Sequence, residues 1–328
     1  MIRQALQVFK LPYEVVGTQE NDNYILYRLK ALDSSATLTR LRTRLDDIKG
    51  YIDRDVSIVQ EHGVCLRVEK EKKETFLFAD YNGHVFSHKE MELPFMVGLT
   101  ASECIVEDLT KCPHLLIAGT TGSGKSNYLH TLLSSIMCCD NAPYTHIIDC
   151  KKVEFSAYEK HANIYTTVSE ANFLLIDILK RMDDRYSRMQ QAGVNNFKDF
   201  KKLYPNEHYH VIVVDELADL ISTKEAKKMI VPKLLRIAQI GRAGGFHLIV
   251  ATQRPDHTVI NGTLKGNIPS RICFNTASRM DSQVVLDRAG AEHLTGNGDG
   301  LFLKNGSRDL VRFQATYLPL DTVKRYMA

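Results

Sequence analysis

The chain has 328 residues with a hydrophobic share of 44%, which is enough for a large α/β domain and a smaller companion. Its net charge of only +3 excludes a histone-like coat on nucleic acid, although a channel can still concentrate positive charge locally. Seven cysteines without metal-site spacing, no signal peptide and no apolar run near the roughly 18 residues of a membrane span predict a cytoplasmic protein with reduced thiols.

The first 90 residues predict a small α+β module. Leu38, Leu41, Leu45 and Ile48 recur at helical spacing and predict one amphipathic helix. The alternating charges of residues 69–74 are typical of a solvated hairpin turn, since their signs cancel and do not favour a nucleic-acid patch. Strands are predicted at 24–29, 56–59, 64–68 and 75–78.

Residues 91–328 predict a larger α/β domain. Helices are expected after Lys125, Ser169 and Lys224 and over 278–288. Alternation of such helices with strands predicts a mostly parallel sheet with helices on both faces. The strand segments are 115–118, 145–149, 210–215, 247–252 and 271–276.

The segment after the first of these strands reads GTTGSGKS, which fits the phosphate-binding pattern GxxxxGK[ST] at every fixed position. Its glycines let successive backbone N–H groups turn onto phosphate oxygens. Lys125 can reach the β- and γ-phosphates of ATP, and the Ser126 hydroxyl can ligate Mg²⁺. The predicted nucleotide-binding residues are Gly119, Thr120, Thr121, Gly122, Ser123, Gly124, Lys125 and Ser126.

The predicted strand 210–215 ends in two adjacent carboxylates. In a P-loop ATPase the first, Asp215, binds Mg²⁺ directly or through water, and the second, Glu216, can orient and deprotonate the attacking water. Gln253 follows the next strand, and we interpret it as a γ-phosphate sensor or as a cap on the strand end. With Lys125, these residues predict an enzyme that hydrolyses ATP.

Two arginines are candidates for action on a neighbouring subunit. ATP hydrolysis is accelerated when an Arg supplied in trans neutralises charge in the transition state. Arg242 lies at a predicted helix end beside flexible glycines, and Arg271 is its competitor. Either side chain can instead be a surface or packing arginine.

Several of these motifs, taken in chain order, resemble the FtsK/SpoIIIE family of DNA translocases. The resemblance covers about residues 94–320, and the first 85 residues are more loosely similar to the small module of that family. The matching segments are HLLIAGTTGSGKS over 114–126, VDELADL over 214–220, GFHLIVATQRP over 245–255, NIPSR over 267–271 and GNGDG over 296–300.

This resemblance implies a RecA-like motor that assembles as a homo-hexameric ring around duplex DNA. ATP would lie between subunits, with an Arg from the neighbour completing the site, and the family pattern favours Arg242 for that role. Two loops would face the pore and contact DNA phosphates without reading sequence. The implied contacts are Lys151, Lys152, Arg279 and Ser282, each of which can also be an ordinary surface residue. Cys150 departs from the family's Asp-Pro-Lys pattern, so the first loop is expected to differ in shape.

The biological role is inferred from features of the family that the sequence lacks. We expect neither a membrane anchor before residue 1 nor a winged-helix domain after Ala328. We therefore expect DNA transfer or replication for a plasmid, integrative element or phage, with a membrane or transfer-machinery protein as a further partner. The alternatives are an ATPase of type VII protein secretion and a nucleotide switch that binds a partner in its ATP state.

Overall fold

The computed structural model describes residues 1–20, 23–60, 63–70, 74–152 and 154–326. The chain divides into two compact units, Met1–Thr75 and Phe76–Ala328. The sequence placed this boundary near residue 90, whereas the division falls before a helix, Phe78–Ser87. Phe78 and Val85 of this helix are buried in a core of the second unit, so the helix belongs to that unit and the boundary lies before it.

The first unit is an α+β module built on an antiparallel sheet. In its described part, the strand order is β1-β2-β4-β3. Helices α2 and α3 meet at Arg44, so the single helix predicted there is two short ones. Helix α1 and strand β1 were not predicted. The elements are α1 (Ile2–Val8), β1 (Tyr13–Glu20), β2 (Tyr24–Ala31), α2 (Leu38–Thr43), α3 (Leu45–Ile52), β3 (Val56–Gln60) and β4 (Val64–Glu69).

The strand predicted at residues 75–78 is wrong. Leu77 makes only an isolated parallel bridge to Tyr317, and Phe78 begins a helix of the second unit. Its aromatic side chain is fully buried in the core of that unit, which accounts for the apolar signal in the sequence. Part of the turn predicted at 69–74, residues 71–73, lies outside the described residues.

The second unit alternates strands and helices, as the sequence predicted. All five strand segments predicted for it are present, as β7, β8, β10, β11 and β12. The elements are α4 (Phe78–Ser87), β5 (Pro94–Leu99), β6 (Cys104–Asp108), β7 (His114–Ala118), α5 (Lys125–Met137), β8 (Tyr144–Ile148), β9 (Ala162–Tyr165), α6 (Val168–Gln191), α7 (Phe197–Leu203), β10 (His210–Val214), α8 (Leu217–Leu220), α9 (Lys224–Gly244), β11 (Phe246–Thr252), α10 (Gly262–Asn267), β12 (Ser270–Phe274), α11 (Arg279–Leu286), β13 (Asp299–Leu303), β14 (Leu310–Gln314) and α12 (Leu320–Tyr326).

These strands form a ten-stranded sheet in the order β6-β5-β14-β13-β12-β7-β11-β10-β8-β9. From β12 to β9 neighbouring strands are parallel, and from β12 to β6 they are antiparallel. The parallel part confirms the predicted RecA-like P-loop fold. The antiparallel extension was not predicted.

Alternating side chains of the parallel strands enter two cores on opposite faces of the sheet. Leu115 and Ile117 of β7 pack into the core that contains α5, whereas Leu116 and Ala118 pack into the core that contains α6 and α9. A strand that is buried on both faces appears in sequence as a continuous apolar run. This explains why β7, β10 and β11 were recognisable from composition alone.

Parallel strands end at one edge of the sheet. We call the edge where β7, β8, β10, β11 and β12 end the carboxyl edge, and the edge where they begin the amino edge. Ligands of open α/β sheets bind beyond the carboxyl ends of the strands. The loops after β7, β8, β10 and β11, which contain most of the predicted site residues, therefore lie at the edge where a ligand is expected. Within the described ranges, no helix is both long and apolar enough to cross a membrane.

Candidate nucleotide-binding site

The phosphate-binding loop spans Gly119–Ser126 between β7 and α5. Gly122 and Gly124 have φ of +78° and +105°, conformations that other residues rarely adopt. Gly119 is restricted by space instead, because a Cβ there would lie 2.7 Å from Cβ of Phe274. The three glycines therefore keep the loop backbone close to its supports and free of side chains.

Neighbouring strands hold the start of this loop. The amide of Gly119 donates to the carbonyl of Thr252 at 3.3 Å, and the amide of Thr120 donates to the carbonyl of Asn275 at 2.9 Å. Because β11 and β12 flank β7, the loop is fixed from both sides. The sequence did not predict any role for Asn275.

A second glycine-rich loop, Gly296–Gly300, braces the other end of the phosphate-binding loop. The amide of Gly298 donates to the carbonyl of Ser123 at 2.8 Å, and a Cβ on Gly124 would lie 2.5 Å from the Gly298 nitrogen. Asp299 anchors this second loop by accepting from Nη2 of Arg312 at 2.6 Å. In the sequence, this segment was recognised only through the family resemblance, and its contact with the phosphate-binding loop was not predicted.

Lys125 is the first residue of α5 and is buried, with 2% of its surface exposed. Its ammonium donates to the backbone carbonyl of Asp215 at 2.9 Å and lies 3.3 Å from Oδ1 of the same residue. The two residues are far apart in sequence, so the structure brings together the predicted lysine and the first predicted carboxylate. A buried ammonium needs such partners, and a phosphate can take their place.

Glu216 is also buried, and neutral donors hold its carboxylate. The Thr252 hydroxyl donates to Oε1 at 2.7 Å, the Gln253 amide donates to Oε2 at 2.8 Å, and the Ala218 amide donates to Oε1 at 3.3 Å. These bonds orient the carboxylate at the carboxyl edge, between the ends of β10 and β11. Thr252 was missed, although a hydroxyl directly before Gln253 at the end of an apolar strand was a usable signal.

The Gln253 side chain reaches the phosphate-binding loop. Its Oε1 accepts a hydrogen bond from the Thr121 hydroxyl at 2.9 Å. Together with the bond from its backbone amide to Glu216, this contact links the loop to the second carboxylate. This position is compatible with the predicted role of Gln253 as a γ-phosphate sensor, which stays a prediction.

Hard oxygen donors are present for a Mg²⁺ ion. Ser126, in the first turn of α5, supplies a hydroxyl, and Asp215 supplies a carboxylate at the end of β10. Mg²⁺ prefers such oxygens and usually binds one or two protein ligands plus phosphates and water. Among the residues that the structure describes, no group of three or more His, Cys, Asp or Glu side chains could hold a metal ion. These two donors therefore fit a Mg²⁺ ion that arrives with a nucleotide.

The loop after β8 contains two of the predicted DNA contacts. Oδ1 of the buried Asp149 accepts from the amides of Lys151 at 2.9 Å and Lys152 at 3.1 Å. Lys152 has φ of +63° and an exposed side chain. The Lys151 ammonium instead lies 3.9 Å from Oε2 of Glu216, a position that the sequence did not predict.

The other two predicted DNA contacts differ from each other. Arg279 is exposed at the start of α11, after the carboxyl end of β12. Ser282 is fully buried, and its hydroxyl donates to the Arg288 carbonyl at 2.8 Å and accepts from the Ala291 amide at 3.1 Å. A buried hydroxyl with both roles in use offers nothing to a phosphate, so we remove Ser282 from the candidate DNA contacts.

The two candidate arginines also have different environments. Arg271 is largely buried, and its Nη1 donates to Asp287 at 2.5 Å and to the Val285 carbonyl at 3.1 Å. These bonds give it a packing role. Arg242 is exposed in the last turn of α9, just before β11 begins at the amino edge. Because β11 is seven residues long, Arg242 lies about 20 Å from its own carboxyl edge and cannot serve its own phosphate loop.

Several known proteins are similar to this chain in sequence or in fold. The FtsK/SpoIIIE family model matches residues 77–257, more than half of the chain. The DNA translocase FtsK of Chlorobaculum tepidum is 39% identical over 257 residues, which cover 73% of this chain and 32% of that protein. The chain thus spans about a third of the length of this curated relative.

Two solved structures are similar as well. The pCW3 conjugation coupling protein TcpA, in monomer form with ATPγS, is 26% identical with a TM-score of 0.73, and the match covers 99% of this chain and 97% of that one. The cytoplasmic domain of the Thermomonospora curvata type VII secretion ATPase EccC is 27% identical with a TM-score of 0.63, over 72% of this chain and 31% of that one.

Proposed function

Because the chain belongs to the FtsK/SpoIIIE family and has its P-loop ATPase unit, we propose that it is an ATP-driven DNA translocase. One observation carries the proposal. Lys125, after β7, lies together with Asp215 and Glu216, after β10, at the carboxyl edge, and Gln253 links Glu216 to the phosphate-binding loop. This is the set of groups that hydrolysis of a nucleoside triphosphate requires.

The contacts of each side chain in the site support a role in nucleotide binding or hydrolysis. On nucleotide binding, the Lys125 ammonium exchanges the Asp215 oxygens for phosphate oxygens, and the backbone amides of the loop bind further phosphate oxygens. The Glu216 carboxylate, oriented by Thr252 and the Gln253 amide, accepts a proton from the attacking water. The side-chain link between Gln253 and Thr121 breaks or shifts when a γ-phosphate arrives, which makes Gln253 a sensor.

Ser126 and Asp215 would hold the Mg²⁺ ion that accompanies ATP. When bound, this ion neutralises phosphate charge and polarises the phosphoryl oxygens. The Asp215 carboxylate also lies 3.3 Å from the Lys125 ammonium, and both of these groups are buried.

We infer that the working form is a homo-hexameric ring with ATP between subunits. Arg242 is exposed and lies at the edge opposite its own phosphate-binding loop, so it can act only on the site of another copy. In this arrangement the amino edge of one subunit faces the carboxyl edge of the next. The guanidinium would then neutralise charge that develops on the transferred phosphoryl group.

Lys152 and Arg279 are the proposed contacts to the phosphates of double-stranded DNA. Both side chains are exposed, and both follow carboxyl ends of strands of the same sheet. Backbone phosphate contacts hold DNA without reading its sequence, as a translocating motor needs. Affinity based on them should fall as salt rises.

The relatives favour a role in DNA transfer for a plasmid or another mobile element. The coupling protein TcpA matches over 99% of this chain, including the first unit, whereas the secretion ATPase EccC matches over 72%. The second candidate is therefore type VII-like protein secretion, which rests on the EccC similarity. A protein of the transfer or secretion machinery would be a further partner in either case.

The steady-state ATPase rate with and without double-stranded and single-stranded DNA tests the proposal. We expect duplex DNA to stimulate the rate, salt to weaken that stimulation, and Lys125→Ala to abolish hydrolysis under all conditions. A rate that responds to neither DNA would count against translocation and favour the secretion ATPase. Mass photometry with ATPγS and duplex DNA separately tests the hexamer.

A further inference from the structure

The Lys151 ammonium lies between two carboxylates of the neighbouring β10–α8 segment. Its Nζ is 3.9 Å from Oε2 of Glu216 and 3.9 Å from Oδ2 of Asp219. The Lys151 side chain is 36% exposed, whereas the Glu216 side chain is 5% exposed. A lysine expected from the sequence to contact DNA therefore lies beside the carboxylate that is expected to activate water.

The hydrogen bonds of Glu216 show why this position matters. An ionised carboxylate has about four acceptor positions on its two oxygens. The Thr252 hydroxyl and the Ala218 amide occupy Oε1, and the Gln253 amide occupies one position on Oε2. The remaining position is on Oε2, the oxygen that Lys151 approaches. An attacking water and the Lys151 ammonium would compete for it.

The loop is built so that the Lys151 side chain can move while its backbone stays in place. Asp149 is 1% exposed, and its Oδ1 accepts from the amides of both Lys151 and Lys152. At 3.9 Å, the contacts of the ammonium are attractive but are not hydrogen bonds, so no directional bond fixes the side chain. A phosphate brought to this loop can therefore draw the ammonium away.

We propose that Lys151 is a positioning residue that couples DNA occupancy to ATP hydrolysis. Without DNA, its ammonium restrains Oε2 of Glu216, and a DNA phosphate withdraws it and leaves Oε2 to the attacking water. The inference rests on the proposed function, since it specifies how DNA would regulate the same site. Lys152, next in the chain, contacts DNA but does not restrain Glu216.

The test is the ATPase rate of Lys151→Met, measured with and without duplex DNA at saturating ATP. We expect the DNA-free kcat to rise at least about fivefold, the lower end of a typical coupling between two sites, and the stimulation by DNA to shrink. KM for ATP should stay constant, because Lys151 does not contact the phosphate-binding loop. Lys151→Arg keeps the cation and should keep the low DNA-free rate. Lys160→Met removes an exposed lysine elsewhere and should change neither rate.

Two results would overturn the inference. If Lys151→Met lowers both rates by the same factor, Lys151 supports catalysis and does not restrain it. If the DNA-free rate is unchanged and only the DNA concentration for half-stimulation rises, Lys151 is a simple phosphate contact. Failure of the proposed function appears separately, as a wild-type rate that duplex DNA does not change. The DNA-free rate of Lys151→Met still tests the restraint in that case.

Discussion

The two edges of the parallel sheet bury different sets of polar groups. At the carboxyl edge, the buried polar groups include an ammonium and two carboxylates, those of Lys125, Asp215 and Glu216. Each has a charged or hydrogen-bonding partner. At the amino edge, four imidazoles are buried, together with the paired guanidiniums of Arg185 and Arg271. The imidazoles are those of His114 of β7, His210 of β10 and His247 of β11, with His146, in the middle of β8, beside His210.

The amino-edge histidines are held in their neutral form. Burial, with the neighbouring His247 ring and the Arg242 guanidinium adding to it, lowers the pKa of His114 to about 3. Burial likewise lowers the pKa of His146 to about 4, that of His210 to about 2 and that of His247 to about 4. The Leu248 amide donates to Nδ1 of His114 at 3.1 Å, a bond that a protonated ring could not accept.

The contrast indicates which edge can bind a charged ligand. The carboxyl edge keeps an ammonium beside carbonyl and carboxylate oxygens that a phosphate can replace. At the amino edge, neutral rings pack on one another, such as His210 on Phe246 with ring centroids 4.8 Å apart. The Arg185 guanidinium lies over the same Phe246 ring, and its hydrogen bonds to the Gly244 carbonyl and Glu207 are already made within the chain. In the proposed ring, Arg242 is the amino-edge group that crosses to the carboxyl edge of a neighbour.

Replacing Arg242 removes the proposed contact between the amino edge of one subunit and the carboxyl edge of the next. It should have the largest effect on the ATPase rate. We expect Arg242→Ala to lower the DNA-stimulated ATPase rate by about 10³-fold, the lower end of what an arginine supplied in trans contributes. Mixing it with Glu216→Gln should restore partial activity, because some interfaces then combine an intact Glu216 with an intact Arg242. Arg236→Ala, at an exposed position of the same helix, is the matched control. An Arg242→Ala protein with a normal rate would show that the edges do not cooperate in this way.

Neutralising Glu216 alters the carboxyl edge alone. Glu216→Gln keeps the size of the side chain but removes the proton acceptor, so hydrolysis should fall by about 10² to 10³-fold. ATP binding, measured with a fluorescent analogue, should persist because Lys125 and the loop are intact. The exposed Glu225→Gln controls for the substitution itself. Hydrolysis at the wild-type rate would exclude Glu216 as the base.

Acid should destabilise the protein through the amino edge. The unfolded chain binds protons on histidine below about pH 6.5, whereas the folded imidazoles do so only near pH 4 or lower. Their stabilising contribution is therefore complete above about pH 6.5 and is lost as the pH falls towards about 4, by up to about 1.4 kcal/mol per pH unit for each histidine. Urea unfolding at about pH 7.5 and about pH 5.5 measures this loss.

A histidine variant separates the contribution of the imidazoles to the pH dependence of the unfolding free energy from that of the carboxylates. His210→Phe should weaken the dependence of unfolding free energy on pH over this range, because a phenyl ring binds no proton in either state. His161→Gln, at an exposed position, should leave the dependence unchanged. Equal pH dependence in the wild-type protein and His210→Phe would contradict the assignment.

The close packing at Gly124 offers a steric test of the carboxyl edge. An alanine at Gly124 would bring Cβ to 2.5 Å from the Gly298 nitrogen, so the two loops must separate. Gly306→Ala has the same kind of backbone cost, with φ of +81°, but its Cβ would meet nothing within 4 Å. We expect roughly tenfold weaker nucleotide binding for Gly124→Ala only. A loop displacement that costs about 1.4 kcal/mol of binding free energy is enough for that change.

The smallest effects are expected for the exposed DNA contacts. Lys152→Met and Arg279→Met should each weaken DNA binding uniformly across sequences and reduce the slope of log affinity against log salt by about one. Fluorescence anisotropy of a labelled duplex at several salt concentrations measures the slope. An unchanged slope for both variants would remove these residues from the proposed interface.

The sequence was sufficient for the parts of the site that short motifs encode. Lys125, Asp215 and Glu216 follow continuous apolar runs, and such runs mark strands that are buried on both faces. Chain order then placed their ends at one edge. The fold class and the position of the phosphate-binding loop could be predicted for this reason.

Features that depend on contacts between distant segments were not predictable. Gly298 packs on Gly124 because β13 and β14 extend the sheet, and no local pattern shows that pairing. The difference in position between the Lys151 and Lys152 side chains depends on the direction that each takes from an anchored backbone. Likewise, a strand histidine such as His210 looks polar in sequence, and only packing shows that it is neutral.

Helix α9 has a consequence for timing in the proposed ring. It is 21 residues long, about 32 Å, and it begins shortly after Glu216 and ends at Gly244, with Arg242 in its last turn. One helix, with Pro232 in its interior, thus joins the water-activating end of a subunit's own site to the arginine that serves its neighbour's site. If α9 tilts when phosphate leaves a subunit's own site, it would move Arg242 at the neighbour's site. Neighbouring subunits would then hydrolyse ATP in succession around the ring and not independently.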